Sequence, residues 1–293
     1  MKALGNPWMF VAPALVVIGT FFLLPVIAAL ALSFTDFDLY ALADTKNLRL
    51  IAFDNYIDVL RTPLFWQSLV NTLYFVVVGV PLSLCASLGS AMLLNSPLSK
   101  LKSVFRTALF APVVTTIVAV ALIWRYMFNT RYGLINYALV YFGLSPIDWL
   151  GDPHWSMPAI ILFAVWKNFG YNMIILLAGL QAIPQDLYEA ARIDGASVWA
   201  QFRHITLPSL RPVMLLVSII TVAGYFQLFA EPYVMTPMGE PLHSTYSVMY
   251  YMFDQGFAWW NLGRATAIAF LLFAITLAAT RVLLWLGRRG ERA

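Results

Sequence analysis

Six apolar stretches of bilayer-crossing length dictate the folds open to this chain: about residues 8–32, 68–94, 104–128, 158–180, 210–235 and 264–286. Crossing a hydrocarbon core takes about 20 helical residues, and 293 residues hold six such spans with modest connections. With 61% hydrophobic and only 11% charged residues, the chain lacks the polar surface of an ordinary soluble domain. The expectation is an all-α polytopic membrane protein with six transmembrane helices, folded as a single domain over 1–293. Pro13 and Pro25 interrupt the first span and are tolerable where neighbouring helices satisfy the freed backbone. That first run is longer than a signal-peptide core and ends without a cleavage motif, so it is read as a retained span.

Charge supplies the orientation. The net charge of +4 comes from basic residues scattered at helix ends, not gathered into a nucleic-acid-binding patch. Lys2, Lys100, Lys102, Arg106, Arg192, Arg203, Arg211, Arg281, Arg288, Arg289 and Arg292 fall on one side of the six-span scheme. Lys46, Arg49, Arg61, Arg131 and Arg264 fall on the other, and Arg125 and Lys167 within spans. The richer side is expected to be cytoplasmic, with both termini on it. The single cysteine, Cys85, excludes an intrachain disulfide. The interval 134–144 is apolar and partly amphipathic, as for a segment lying at the membrane surface.

Between the fourth and fifth spans lies a polar interval, EAARIDGASVWAQFRHITLP at 189–208. Pro184 is placed to start a helix, Asp186 and Glu189 fall in its early turns, and Arg192 lies near its end, in the order that suits the helix dipole. Gly195 can close that helix in the left-handed conformation, and Ser197 can cap a second one. Trp199 and Phe202 share a face of the second helix. Pro208 and Pro212 are expected to break it before the next span begins.

Glu189, Ala190, Ala191, Gly195, Ile205, Leu207 and Pro208 match, in identity and spacing, the EAA loop of ABC importer permeases. Asp194, Ala196 and Phe202 resemble its carbohydrate-importer version. FDNYIDVL at 53–60, FWQSLVNTLYF at 65–75 and YVMT at 233–236 resemble maltose- and glycerol-phosphate-type permeases, so the likeness covers nearly the whole chain. It implies the type I ABC importer permease fold in the bacterial cytoplasmic membrane. It also implies a loop over 184–208 on the cytoplasmic side that docks on a separate ATPase. In that reading Glu189, Ala190, Ala191, Asp194, Gly195, Phe202, Ile205 and Pro208 carry the coupling, and Glu189 reaches into the ATPase cleft. The implied partners are a second homologous permease, two ATPase subunits that bind ATP and Mg, an extracytoplasmic solute-binding protein and a carbohydrate substrate. Read without the resemblance, Glu189 is a first-turn dipole partner and the interval an ordinary helix-turn-helix connection.

This chain has no phosphate-binding loop of the G-x-x-x-x-G-K-[ST] kind, so hydrolysis falls to a partner. It also lacks metal-ligand spacing and a nucleophile-base constellation, which makes it a transport subunit without cofactor or catalytic residues of its own. Substrate contacts are sought among polar residues within spans. Lys167, Asn168, Tyr171 and Asn172 in the fourth span, and Tyr225, Gln227, Glu231 and Tyr233 in the fifth, offer the hydrogen bonds and aromatic faces of a sugar cavity. Interhelical glue explains them equally well. Arg125, near the outer end of the third span, reads as a residue snorkelling to the headgroups. Tyr246, Tyr250, Tyr251, Phe253, Phe257, Trp259 and Trp260 read as an interfacial aromatic belt or as a docking surface. The rival to an ATP-driven importer is an ion-gradient-driven secondary transporter with Lys167 and Glu231 as relay groups.

Overall fold

The computed structural model describes residues 7–44, 46, 48–96 and 101–290. Lys2, Lys100 and Arg292, counted above in the charge asymmetry, lie outside them. The described chain is nearly all helix, with one isolated bridge between Thr35 and Leu50. Among the described residues, five helices are long and apolar enough to cross a membrane: Phe10–Leu32, Pro63–Asn95, Pro153–Gln181, Val198–Tyr225 and Leu262–Gly287.

The expected third span is instead two helices, α6 (Lys102–Val114) and α7 (Ile117–Met127), bent by 99°. Residues 113–118 are all β-branched, a run that loses side-chain freedom in a helix. Pro112 adds a missing donor. Thr115 and Thr116 are extended, and Thr115 Oγ1 donates to the Pro112 carbonyl at 2.6 Å, which satisfies part of the exposed helix end.

The fifth span also ends early, at Tyr225, and the chain resumes as α13 (Ala230–Met235). Pro232 cannot donate to Leu228, four residues back, and its ring clashes with that carbonyl in a continuous helix. Ser247 Oγ takes the freed Leu228 carbonyl at 2.5 Å.

At the other end of this span the expectation fails in the opposite sense. The chain does not break before Pro208: α11 (Val198–Gln201) and α12 (Leu207–Tyr225) join through a π-helical turn, Phe202–Thr206. Leu207 N–H bonds back five residues to Phe202, and the wider turn makes room for the proline that follows. The first span repeats the device, with a π turn at Gly19–Leu23 just ahead of Pro25 and Leu24 N–H bonding to Gly19.

Two compact units are distinguished within the fold. In the first, up to Trp66 together with Tyr251–Phe273, Asn55 is the hub: its buried amide donates to the carbonyls of Ser33 and Thr35 at 2.9 and 2.8 Å. Arg264 donates to Thr62 Oγ1 at 2.6 Å. The second unit, Gln67–Tyr250 with 274–293, is built round α9 (Pro153–Gln181), the most buried of the spans. Along its length α9 packs Met173, Leu176 and Leu180 against Ala91, Leu210 and Val217, and Ala159 and Phe163 against Val120, Trp124 and Met235. Gly170 lets α9 approach α6 so closely that a Cβ there would run into the Leu109 carbonyl.

Candidate functional site

The breaks after Val114 and Tyr225 leave space beside the middle of α9. A cavity of about 320 Å³ opens there, lined by Phe75, Val113, Asn168, Tyr171, Asn172, Ile220, Thr221, Gly224, Tyr225, Gln227, Leu228 and Glu231. Six of the eight substrate-pathway candidates therefore meet at one place. Asn172, buried, donates to Thr221 Oγ1 at 2.9 Å, a bond that ties α9 to α12. Asn168 Nδ2 and Gln227 Nε2 donate to the carbonyls one turn back, at Ala164 and Ala223. The Tyr225 ring packs on Phe75 at 4.9 Å, and a Cβ at Gly79 would come within 2.8 Å of it. Its hydroxyl approaches Ser83 and Asn168 without hydrogen-bond geometry to either.

Lys167 stands behind this lining. It is 6% exposed, and its Nζ donates to the Val113 carbonyl at 3.1 Å. Tyr233 lies elsewhere, in an aromatic group with Phe229 and Tyr250 at 5.1 and 5.5 Å. Arg125 is exposed and borders a separate polar recess with Asn129, Asp148 and Glu240. The aromatic cluster divides: Tyr246, Tyr250 and Tyr251 are buried and do not form a belt, whereas Phe257 and Trp259 are exposed. Tyr250 is held inside by the hydrogen bond its hydroxyl accepts from Met238 N–H, at 2.8 Å.

The polar interval folds into a two-armed elbow. α10 (Gln185–Ile193) follows Pro184 and carries Asp186 in its first turn. It ends at Asp194, and Gly195 takes φ +75°. Gly195 N–H bonds to Arg192 O at 3.1 Å and Ala196 N–H to Ala191 O at 2.8 Å, so the carbonyls at the helix end are satisfied. Ser197 Oγ then accepts from Ala200 N–H and caps the second arm. The arms are tied by Tyr188 Oη and Thr206 Oγ1, 2.9 Å apart, while Tyr188 and Ile205 pack on the bundle core. Trp199 and Phe202 lie ring to ring at 5.4 Å. The outer edge stays uncovered: Ile193 is 86% exposed, Val198 83% and Trp199 67%. Glu189 is exposed too, 3.9 Å from Arg192.

The family described as "Binding-protein-dependent transport system inner membrane component" matches residues 56–292. The chain belongs to that family. It is 38% identical over 255 residues to the lactose transport system permease protein LacF of Rhizobium radiobacter, covering 86% of this chain and 83% of the relative. Identity to the trehalose/maltose transport system permease protein MalF of Thermococcus litoralis is 37% over 285 residues, covering 96% and 93%. Among solved structures, a chain of a bacterial ABC transporter that imports the acidic polysaccharide alginate superposes with a TM-score of 0.81 at 23% identity, covering 96% of both chains. The protein is thus an inner membrane transport component with the type I permease fold of ABC importers.

This permease brings together residues that sequence reasoning passed over. Thr221 lies one helical turn before Tyr225 and on the same face, a spacing that pointed to it. Val113 and Leu228 stand at the two helix breaks, which side-chain patterns do not announce.

Proposed function

We propose that this permease is the membrane-spanning subunit of an ATP-driven importer for carbohydrates. It works beside a second homologous permease, two ATPase subunits that hold ATP and Mg, and an extracytoplasmic binding protein. The observation that carries the reading is the elbow. An exposed apolar edge, Ile193, Val198 and Trp199, sits beside the exposed Glu189 carboxylate on two short helices anchored to the bundle by Tyr188 and Ile205. Such an edge suits burial in the cleft of a partner, with Glu189 meeting a cation there. ATP-driven closure of the ATPases moves the elbow, and the continuous π-helical joint to α12 passes that movement to the helices round the cavity. The elbow and both termini are then cytoplasmic, consistent with the charge asymmetry.

The carbohydrate assignment is supported by the names of the relatives, which transport lactose and trehalose or maltose. A solved alginate transporter is in complex with a periplasmic protein that holds an alginate pentasaccharide, a parallel for the binding-protein partner. Asn168, Asn172 and Tyr171 provide the amides and aromatic face a saccharide needs, at the wall of the cavity.

Glu189→Ala tests the coupling. The variant is expected to insert and assemble normally while ATP-dependent uptake of a sugar such as lactose falls at least tenfold. Wild-type uptake by that variant would refute the coupling role. Uptake by the purified chain alone under a proton or sodium gradient would refute the importer reading altogether.

A further inference from the structure

The cavity holds one acidic side chain and no basic one among its lining residues. The nearest cation by sequence, Lys167, is directed elsewhere. It packs behind the lining, and its ammonium donates to the Val113 carbonyl, one of the last four of α6, which have no partner inside their own helix. A cation at a helix C-terminus is favoured by the dipole, so the break itself creates the seat that occupies Lys167. Glu231, in the first turn of α13, itself lines the cavity. What a solute meets is therefore a carboxyl group, amide and hydroxyl groups, and the faces of Phe75, Tyr171 and Tyr225.

An anionic group entering such a space would give up water without gaining a cationic partner, a strongly unfavourable exchange. A sugar hydroxyl would gain a carboxyl partner, and the pyranose face would gain aromatic contact. The volume, about 320 Å³, lies at the small end of the range for ligand pockets, about 300–1,000 Å³, and suits a short saccharide.

We infer that this cavity admits uncharged, hydroxyl-rich saccharides and excludes sugars bearing phosphate, sulfonate or carboxylate, with Glu231 as the specificity-determining residue and Lys167 as a clamp on the broken helix. The inference rests on the importer reading, whose separate test is the ATP requirement of uptake.

The assembled importer, purified without its binding protein so that only the membrane cavity selects, is offered radiolabelled maltose, lactose and trehalose, and in parallel glycerol 3-phosphate and glucuronate. At least one neutral sugar is expected to bind at least tenfold more tightly than either anion. Glu231→Gln should weaken that binding about tenfold, the loss of one hydrogen bond to the carboxyl group. Lys167→Met should keep the preference for neutral sugars. An anion bound as tightly as the neutral sugars, neutral binding unchanged in Glu231→Gln, or no neutral sugar bound would each overturn the inference. If uptake of a sugar by the same importer needs ATP while binding ignores charge, only the inference fails. If uptake proceeds without ATP, the importer reading fails.

Discussion

Gly195 is the residue on which the elbow's shape depends. At φ +75°, with open space where a Cβ would go, it resists substitution for backbone reasons alone. Gly195→Ala is expected to destabilise the elbow by about 1 kcal/mol, seen as faster amide exchange through α10 and α11 with exchange in α9 unchanged; unchanged exchange in the elbow would contradict this. A second residue-scale case is Thr221, the acceptor for buried Asn172. Thr221→Val should cost about 1 kcal/mol, within the span measured for hydrogen bonds between membrane helices, and Thr221→Ser should restore most of it in thermal unfolding of the assembled importer. Gly195 and Ser197 were legible from sequence because caps and left-handed turns are set by residues only a few positions apart. The role of Lys167 was not. Its partner is a carbonyl 54 positions away, freed only because α6 stops where it does.

Elements followed the same division. Apolar length marked the spans, because bilayer thickness fixes how many residues a helix needs, but it carried no information on whether a span is straight. The β-branched run at 113–118 and Pro232 were visible in the sequence, yet proline broke the fifth span near its C-terminal end and failed to break it at Pro208. The difference lies in what the backbone finds nearby. At Pro232 a side chain, Ser247, takes the freed carbonyl; ahead of Pro208 a π turn absorbs the strain and the helix continues. Pro208→Ala should let that turn relax toward α geometry, shifting the elbow by one residue, about 100° round the axis of α12. Insertion should be unaffected and ATP-dependent uptake should fall. Wild-type uptake would mean that the π turn does not set the orientation of the elbow.

At the scale of the molecule, burial differs most between spans: 56% of the α9 window is buried, while none of the first span's window is. Exposed apolar side chains of that kind suit a hydrocarbon surrounding. The sequence identified this component because a short motif and its spacing survive translation into a local structure. The cavity could not be read the same way, since its wall draws on α5 (Pro63–Asn95), α6, α9, α12 and α13, and two of those contribute through helix ends. The central claim, that the exposed edge of the elbow meets an ATPase on the cytoplasmic side, is tested by one thiol. In a Cys85→Ser background, Val198→Cys places a single cysteine on that edge. With the assembled importer in sealed vesicles, a crosslinker at this position should join the chain to its ATPase, and a membrane-impermeant thiol reagent added from the periplasmic side should leave it unlabelled. Labelling from the periplasmic side, or no crosslink to the ATPase, would contradict the account.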